Sequence, residues 1–149
     1  MRPRRLPAKS SPERGERLAL QSFEAEESEP HFELSTNIAI AYFESGRLDE
    51  AQAAAAKVAR QWPLHAPAQH TLGQVAIARK DYRAAKAHFE RALGLDPDSV
   101  ESLTNLAVTQ DRLGDHAGAC ESWARYAKSL ATQANEKASE KRAALGCEP

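Results

Sequence analysis

The pattern of apolar and polar positions along the chain is typical of helices rather than strands. In the middle of the chain, Leu72, Val75 and Ala76 lie at intervals of three and four residues, and the same spacing returns between Ala85 and Ala92. Such spacing places the apolar residues on one face of a helix. The pattern over residues 66–99 therefore predicts two successive amphipathic helices of about 14 residues each.

This two-helix pattern occurs three times along the chain. Blocks 32–65, 66–99 and 100–133 align at a spacing of 34 residues. Three of the matching positions hold Ile38, Leu72 and Leu106; Ala39, Gly73 and Ala107; and Ala51, Ala85 and Ala119. Self-similarity at a fixed period of this length predicts a stack of repeated helical units.

Glycine and proline punctuate the blocks where turns are needed. Gly46 and Gly114 lie between the two helices of their blocks, where a helix end favours positive φ. Pro63 and Pro97 follow the second helix and end it. The end of block two, Asp96 to Ser99, also offers side-chain oxygens that can cap the next helix.

These motifs resemble the tetratricopeptide repeat family. The second block carries the most complete set, Leu72, Gly73, Ala85, Phe89, Ala92 and Pro97. The chain departs from the family pattern at Lys80, Gln110 and Ala55, which replace a glycine, a tyrosine and a phenylalanine. The resemblance covers residues 32–133 and implies an all-α fold, in which three helix-turn-helix repeats (32–65, 66–99 and 100–133) stack as a right-handed solenoid.

The C-terminal region predicts one more helix. No glycine or proline occurs from Ala119 to Leu145, and alanines continue a helical stripe. Because repeat arrays need a polar element over their last apolar face, residues 134–149 are expected to form the end of a capping helix and a tail. A bend is expected near Ser129–Thr132.

The first 31 residues differ in composition from the repeats. Residues 1–17 have a net charge of +4 and residues 18–30 a net charge of -4. Several prolines and serines favour a flexible charged arm, with a short helix near residues 13–26. The arm is either a solvated terminus or a segment that occupies an acidic apolar surface of this chain or of a partner.

Overall composition excludes some classes of function. The chain has 20 basic and 21 acidic residues, so bulk basicity gives no reason to expect a nucleic-acid partner. Alanine occurs 29 times, whereas valine and isoleucine together occur 7 times, which favours helix over sheet. No apolar run approaches the length of a membrane span or a secretory signal, so we expect a cytoplasmic protein. Cys120 and Cys147 make no disulfide framework, and we expect the first to be buried and the second exposed.

No catalytic constellation is recognisable. The chain has no phosphate-binding loop, nucleophile elbow or zinc-protease motif. His65 and His70 are five residues apart, which does not place two ligands on one helix face. We therefore expect neither an enzyme nor a metal or cofactor site.

The resemblance implies that the first helix of each repeat lines a concave groove. The expected groove residues comprise the apolar Ile40, Phe43, Ile77 and Val108, the acidic Glu33, Glu44, Glu101 and Asp111, and also Thr36, His70, Gln74 and Arg112. Such a surface suits a protein segment with apolar anchors and basic flanks.

One family subtype is disfavoured. Its heat-shock co-chaperones hold a C-terminal carboxylate with Lys, Asn and Arg side chains. The corresponding positions here hold Thr36, Ile40, Thr71, Glu101 and Asn105. None of them matches the clamp, and Glu101 would repel a carboxylate.

The sequence therefore predicts a non-catalytic protein–protein interaction module, an adaptor or scaffold subunit that binds a peptide segment in its groove. Two alternatives remain open. One is a small chaperone for a secreted or assembly-prone client, similar in plan to type III secretion translocator chaperones. The other is a subunit of a larger complex that docks through the arm or the convex face.

Overall fold

The computed structural model of the chain describes residues 31–129 and 133–148, with the side chains of the last stretch described from residue 136. The helices are α1 Phe32–Glu44, α2 Leu48–Gln61, α3 Ala66–Ala78, α4 Tyr82–Leu95, α5 Val100–Arg112, α6 His116–Ser129 and α7 Gln133–Ala144. Within these described ranges the structure is all-α. The compact unit discussed below begins at Leu34. The short helix expected near residues 13–26, and residues 130–132 of the expected bend, lie outside the described residues.

The first helix of each of the three repeats and α7 end in the same backbone motif. A left-handed residue follows the helix at Gly46, Lys80, Gly114 and Gly146, with φ of 75°, 60°, 78° and 71°. In each case the next residue donates its N–H to a carbonyl five positions back; for example, Asp81 N donates to Ala76 O at 2.9 Å. These are Schellman caps, which satisfy carbonyls that the helix end leaves unpaired. Lys80 thus adopts the conformation that its repeat position demands, although it is not glycine.

The second helices end where the prolines predict. Helix α2 stops at Gln61 and α4 stops at Leu95, each two residues before a proline. The starts of α4 and α5 are capped by side chains: Asp81 accepts a hydrogen bond from the Ala84 amide, and Ser99 accepts one from the Ser102 amide. The turns predicted from the sequence therefore have the expected chemistry.

The core runs along the stack in two clusters. The smaller one joins the first three helices through Ala39, Ala55 and Leu72. The larger one joins α3 to α7 and contains Ala76, Ala85, Phe89, Leu93, Leu103, Leu106, Ala107, Trp123, Tyr126 and Ala138. Within it, Trp123 and Tyr126 meet edge to face with ring centroids 5.5 Å apart. The described helices thus form a solenoid, in which each helix from α2 to α7 packs on its neighbours along the chain and α1 joins through the smaller cluster.

The cysteines correct a sequence prediction. Cys120 on α6 and Cys147, just after α7, form a disulfide with their Cα atoms 5.7 Å apart. The expectation that they stay unpaired was wrong, because α7 packs back on α6 and brings together two residues that are 27 positions apart. Both cysteines are half-buried, so neither expected exposure holds.

Candidate peptide-binding groove

Two clefts are lined in part by the first helices of the repeats. The proximal cleft, of about 120 Å³, is lined by Ile40, Ala66, Pro67, His70, Thr71, Asp96, Ser99, Glu101 and Ser102. The distal cleft, of about 590 Å³, is lined by Val108, Asp111, Arg112, His116, Trp123, Lys141, Ala144 and Leu145. Helix α5 contributes to both clefts, one at each of its ends.

His70 organises the proximal cleft. Its Nδ1 is hydrogen-bonded to the Ser102 Oγ at 2.9 Å, so it links α3 to α5. Its ring meets the buried Phe89 edge to face, with centroids 5.4 Å apart. Burial lowers the pKa of His70 below its ordinary value, and the nearby Glu101 carboxylate only partly opposes that effect. The imidazole is therefore uncharged at neutral pH and presents a polar but neutral surface beside Glu101.

The distal cleft combines cations with an apolar floor. Arg112 lies in the last turn of α5 and Lys141 in the last turn of α7. His116 Nδ1 lies 3.1 Å from the Asp111 carboxylate, so the single acidic residue of the cleft already has a partner. Trp123, 2% exposed, forms the base.

Six of the expected groove residues line these two clefts. They are Ile40, His70 and Glu101 in the proximal cleft, and Val108, Asp111 and Arg112 in the distal cleft. The other six do not line either cleft. Gln74 and Ile77 are half-buried on α3, with Ile77 packed against the larger core cluster. Phe43 is half-buried and Glu44 exposed near the end of α1.

Two of the expected residues are placed differently. Thr36 is 4% exposed and its Oγ1 is hydrogen-bonded to His65 Nε2 at 2.9 Å, so its side chain is engaged within the fold. Glu33 is exposed on the first turn of α1, before the compact unit begins.

The contribution of α7 to the distal cleft was not predicted from the sequence. Lys141, Ala144 and Leu145 line the distal cleft, although the C-terminal helix was expected only to cap the stack. A signal was available, because Gly146 follows Gly114 by 32 residues and ends α7 as Gly114 ends α5. That match indicates a helix placed like the first helix of a fourth repeat.

A third cleft lies between α2, α3 and α4. It has a volume of about 90 Å³ and contains Arg79 and His88. The Arg79 guanidinium bridges Asp49 and Gln52 of α2. His88 is hydrogen-bonded to Gln69 at 3.0 Å, and burial, aided by the Arg91 charge, lowers its pKa. These contacts tie neighbouring helices together.

Within residues 31–129 and 133–148, no group of three or more His, Cys, Asp or Glu side chains is arranged to hold a metal ion. None of the helices described is both long and apolar enough to cross a bilayer.

Solved structures with the same fold include three complexes with peptides or proteins. The first repeat domain of Spaghetti (RPAP3), bound to an HSP90 peptide, matches with a TM-score of 0.68, 15% identity, and coverage of 77% of this chain and 93% of that one. The Yersinia enterocolitica type III secretion chaperone SycD, in complex with a peptide of the translocator YopD, matches with a TM-score of 0.71 and 15% identity. The match covers 76% of this chain and 91% of that one. The TPR2B domain of yeast Sti1, in complex with pHsp70, matches with a TM-score of 0.67 and 18% identity. The match covers 76% of this chain and 91% of that one. Identities this low establish a shared fold.

Comparison with curated proteins gives no match. Two family models, both described as tetratricopeptide repeat, match residues 31–98 and 70–135. Together they cover residues 31–135, well over half of the chain, and include all three pairs of helices from α1 to α6. The chain therefore belongs to the tetratricopeptide repeat family.

Proposed function

We propose that this protein is a non-catalytic adaptor that binds a peptide segment of a partner along the face containing the two clefts. The observation that carries the proposal is that α5 lines both clefts, together with α1 and α3 in the proximal cleft and with α6 and α7 in the distal cleft. A surface built from rigid helices is preformed, which lowers the ordering cost of binding. Micromolar affinity for an isolated peptide, about -8 kcal/mol, is the expected range.

The proximal cleft suits an apolar anchor next to a basic flank. Ile40, Ala66 and Pro67 supply apolar surface, whereas Glu101 and Asp96 supply carboxylates on exposed positions. His70 adds no positive charge at neutral pH because burial lowers its pKa. A Lys or Arg side chain of the ligand is therefore attracted by the two carboxylates and is not repelled by this histidine.

The related structures support a peptide ligand in general terms. Two of them contain bound peptides, one from HSP90 and one from the translocator YopD. Their likeness to this chain lies in the fold, so the ligand chemistry proposed here rests on this chain's own residues.

The test is selection of a displayed library of random twelve-residue peptides on the full-length protein, followed by fluorescence anisotropy with the enriched peptides. We expect enriched sequences to contain apolar residues beside Lys or Arg. Removing the Glu101 charge with Glu101→Gln should weaken such peptides about tenfold, or about 1.4 kcal/mol.

The matched control is Glu121→Gln, which removes the same charge from an exposed position on α6 that lines neither cleft. Its affinity should equal that of the unmodified protein. Failure of the library to enrich any peptide, or equal affinity for the Glu101→Gln and Glu121→Gln variants, would argue against the groove as the binding surface.

A further inference from the structure

We infer that the distal cleft binds an acidic segment of a partner protein, with carboxylates paired to Arg112 and Lys141 and one apolar side chain seated on Val108 and Leu145. The inference rests on the proposed function, since it assigns ligand chemistry to the second half of the same groove. It adds an acidic residue to the expected ligand, which the sequence did not suggest, because the sequence predicted a ligand with basic flanks only.

The charges of the cleft favour an anionic ligand. Its lining holds two cations, Arg112 and Lys141, and one carboxylate, that of Asp111. Asp111 is paired with His116, and among the described residues neither Arg112 nor Lys141 takes part in an ion pair. Two cations on two different helices therefore face one cleft with their charges uncompensated. A segment bearing two carboxylates can bridge α5 and α7.

The cleft also has room and apolar surface for a side chain. The side chain of Val108 is 41% exposed. Covering this apolar surface with a ligand side chain is favourable. Leu145 is half-buried and packs against the larger core cluster, and Trp123 closes the base. The volume of about 590 Å³ lies within the range of sites that accept several side-chain-sized groups.

The α7 wall of the cleft is fixed rather than loosely attached. The Cys120–Cys147 disulfide joins the residue after the α7 cap to α6. Cys147 N donates to Arg142 O at 2.9 Å, and an Arg142 Nη2 donates to Glu148 O at 2.9 Å. Lys141 and Leu145 are therefore held opposite Val108 and Arg112 before any ligand arrives, which reduces the entropy lost on binding.

The two clefts give the groove a direction. Glu101 and Arg112 lie eleven residues apart on α5, one in the first turn and one in the last. A helix rises about 1.5 Å per residue, so the two charges are separated by about 16 Å along its axis. An extended peptide covers that distance in about five residues. The preferred ligand thus carries a basic residue and an acidic residue about five positions apart, in one orientation.

The experiment extends the peptide selection to a cleft variant. The library of random twelve-residue peptides is selected on the oxidised full-length protein, and the enriched peptides are then measured against R112E/K141E by fluorescence anisotropy. We expect enriched peptides to contain Asp or Glu, and R112E/K141E to bind them at least tenfold more weakly. The milder variant R112Q/K141Q should lose part of the affinity, and it remains informative if charge reversal disturbs the helix ends.

The matched control is K57E/R60E. Lys57 and Arg60 are exposed on α2 and line neither cleft, and their reversal changes the net charge by the same amount. This control should keep the affinity of the unmodified protein, and circular dichroism checks that all variants retain their helix content. Equal weakening of K57E/R60E would assign the effect to overall charge and overturn the inference.

The remaining outcomes separate the inference from the proposed function. If peptides are enriched and depend on Glu101, but lack acidic residues and bind R112E/K141E normally, the groove binds peptides and the inference is wrong. If no peptide is enriched on the unmodified protein, both the proposed function and the inference are wrong.

Discussion

At the scale of single residues, Lys80 shows how a repeat position imposes a conformation on a residue that disfavours it. Its φ is 60°, whereas the equivalent positions Gly46, Gly114 and Gly146 hold the residue type suited to that region. A side chain in the left-handed region costs roughly 1–2 kcal/mol. Part of this cost is offset because lysine has less backbone freedom than glycine in the unfolded chain.

We therefore expect Lys80→Gly to stabilise the fold by about 0.5–1 kcal/mol. The measurement is urea unfolding followed by circular dichroism. The reciprocal substitution Gly114→Ala should destabilise, and only through its backbone, since nothing lies within 4 Å of the added Cβ. Gly94→Ala, on a helical position with equally open space, serves as the control and should not destabilise. A loss of stability in Lys80→Gly would contradict this account.

Gly73 carries a different constraint, which is steric. A Cβ added there would lie 2.6 Å from the ring of Phe89 on α4. At the equivalent position, Ala39 fits because the partner helix presents the small Ala55. Glycine and phenylalanine in the second repeat are thus a matched pair.

Gly73→Ala should lower the free energy of unfolding by about 1–3 kcal/mol, the range for overpacked cores. The control is the same change in a Phe89→Leu background, where the ring atoms that would clash are absent. There the added methyl should cost less, and a double-mutant cycle in urea measures the difference. Equal costs in both backgrounds would rule out the ring as the cause.

His70 and His88 make stability depend on pH. Burial is the main cause that lowers the pKa of each below its ordinary value of 6.5. As pH falls below about 6.5, the unfolded chain takes up protons at these positions before the folded chain does. Proton uptake by the unfolded state lowers stability, so their contribution is complete above this pH and is lost progressively below it.

We expect the urea concentration at the unfolding midpoint to decrease as the pH is lowered from 7.5 to 5.5. The decrease should be smaller in H70Q/H88Q. The control is His31→Gln, an exposed position before α1, which should keep the full dependence. An identical pH dependence in H70Q/H88Q and the unmodified protein would exclude these two histidines as its source.

At the scale of elements, α7 depends on its covalent tie more than the other helices do. Among its side chains described, from residue 136 onward, Ala138 is the buried apolar residue, at 1% exposure. Such a small apolar contact contributes little to holding a helix in place. The disulfide to Cys120 and the Schellman cap at Gly146 therefore contribute more to fixing α7 than such features would in a helix that packs through a full apolar stripe.

Cys147→Ser should destabilise the protein by about 3 kcal/mol, as expected for closing a loop of this length. Hydrogen exchange should accelerate most in α7 and least in α3 and α4. Reduction of the unmodified protein with dithiothreitol should have the same effect, whereas the reductant should leave C120S/C147S unchanged. If reduction leaves α7 exchange unaltered, packing alone holds the helix.

At the scale of the whole molecule, the fold is a line of helices in which each one covers the next. Such arrays need an end element that shields the last apolar face. Ala138 of α7 packs in the cluster that contains Trp123 and Tyr126, so α7 is that element for the third repeat. Lys141, Ala144 and Leu145 of the same helix line the distal cleft, which gives one helix two roles.

A chain ending at Ser129 should therefore expose the apolar side of α6. In a Trp62→Phe background, the emission of Trp123 should shift to longer wavelength, since this side chain is 2% exposed in the complete fold. Thermal unfolding should occur at a lower temperature, and size-exclusion chromatography should show association through the uncovered face. Unchanged Trp123 emission would mean that α7 does not shield the core.

The fold was largely predictable because its determinants are local. Helix stripes such as the one through Leu72 and Val75, and the turn signals at Gly114 and Pro97, act over a few residues and recur at one period. The candidate groove residues could be assigned to first helices for the same reason. Residues on first helices could be placed by their offset, but whether a side chain such as Thr36 is exposed depends on what packs against it, here His65.

By itself, the sequence determined the helical class, the repeat register and the helix ends, since periodicity, glycine and proline act on the backbone nearby. The Cys120–Cys147 pairing, the lowered pKa values of His70 and His88, and the presence of Arg112 and Lys141 in one cleft depend on the tertiary structure. Each of these depends on how far apart, and how deeply buried, groups distant in the chain become when the helices stack. Local patterns carry no such distances.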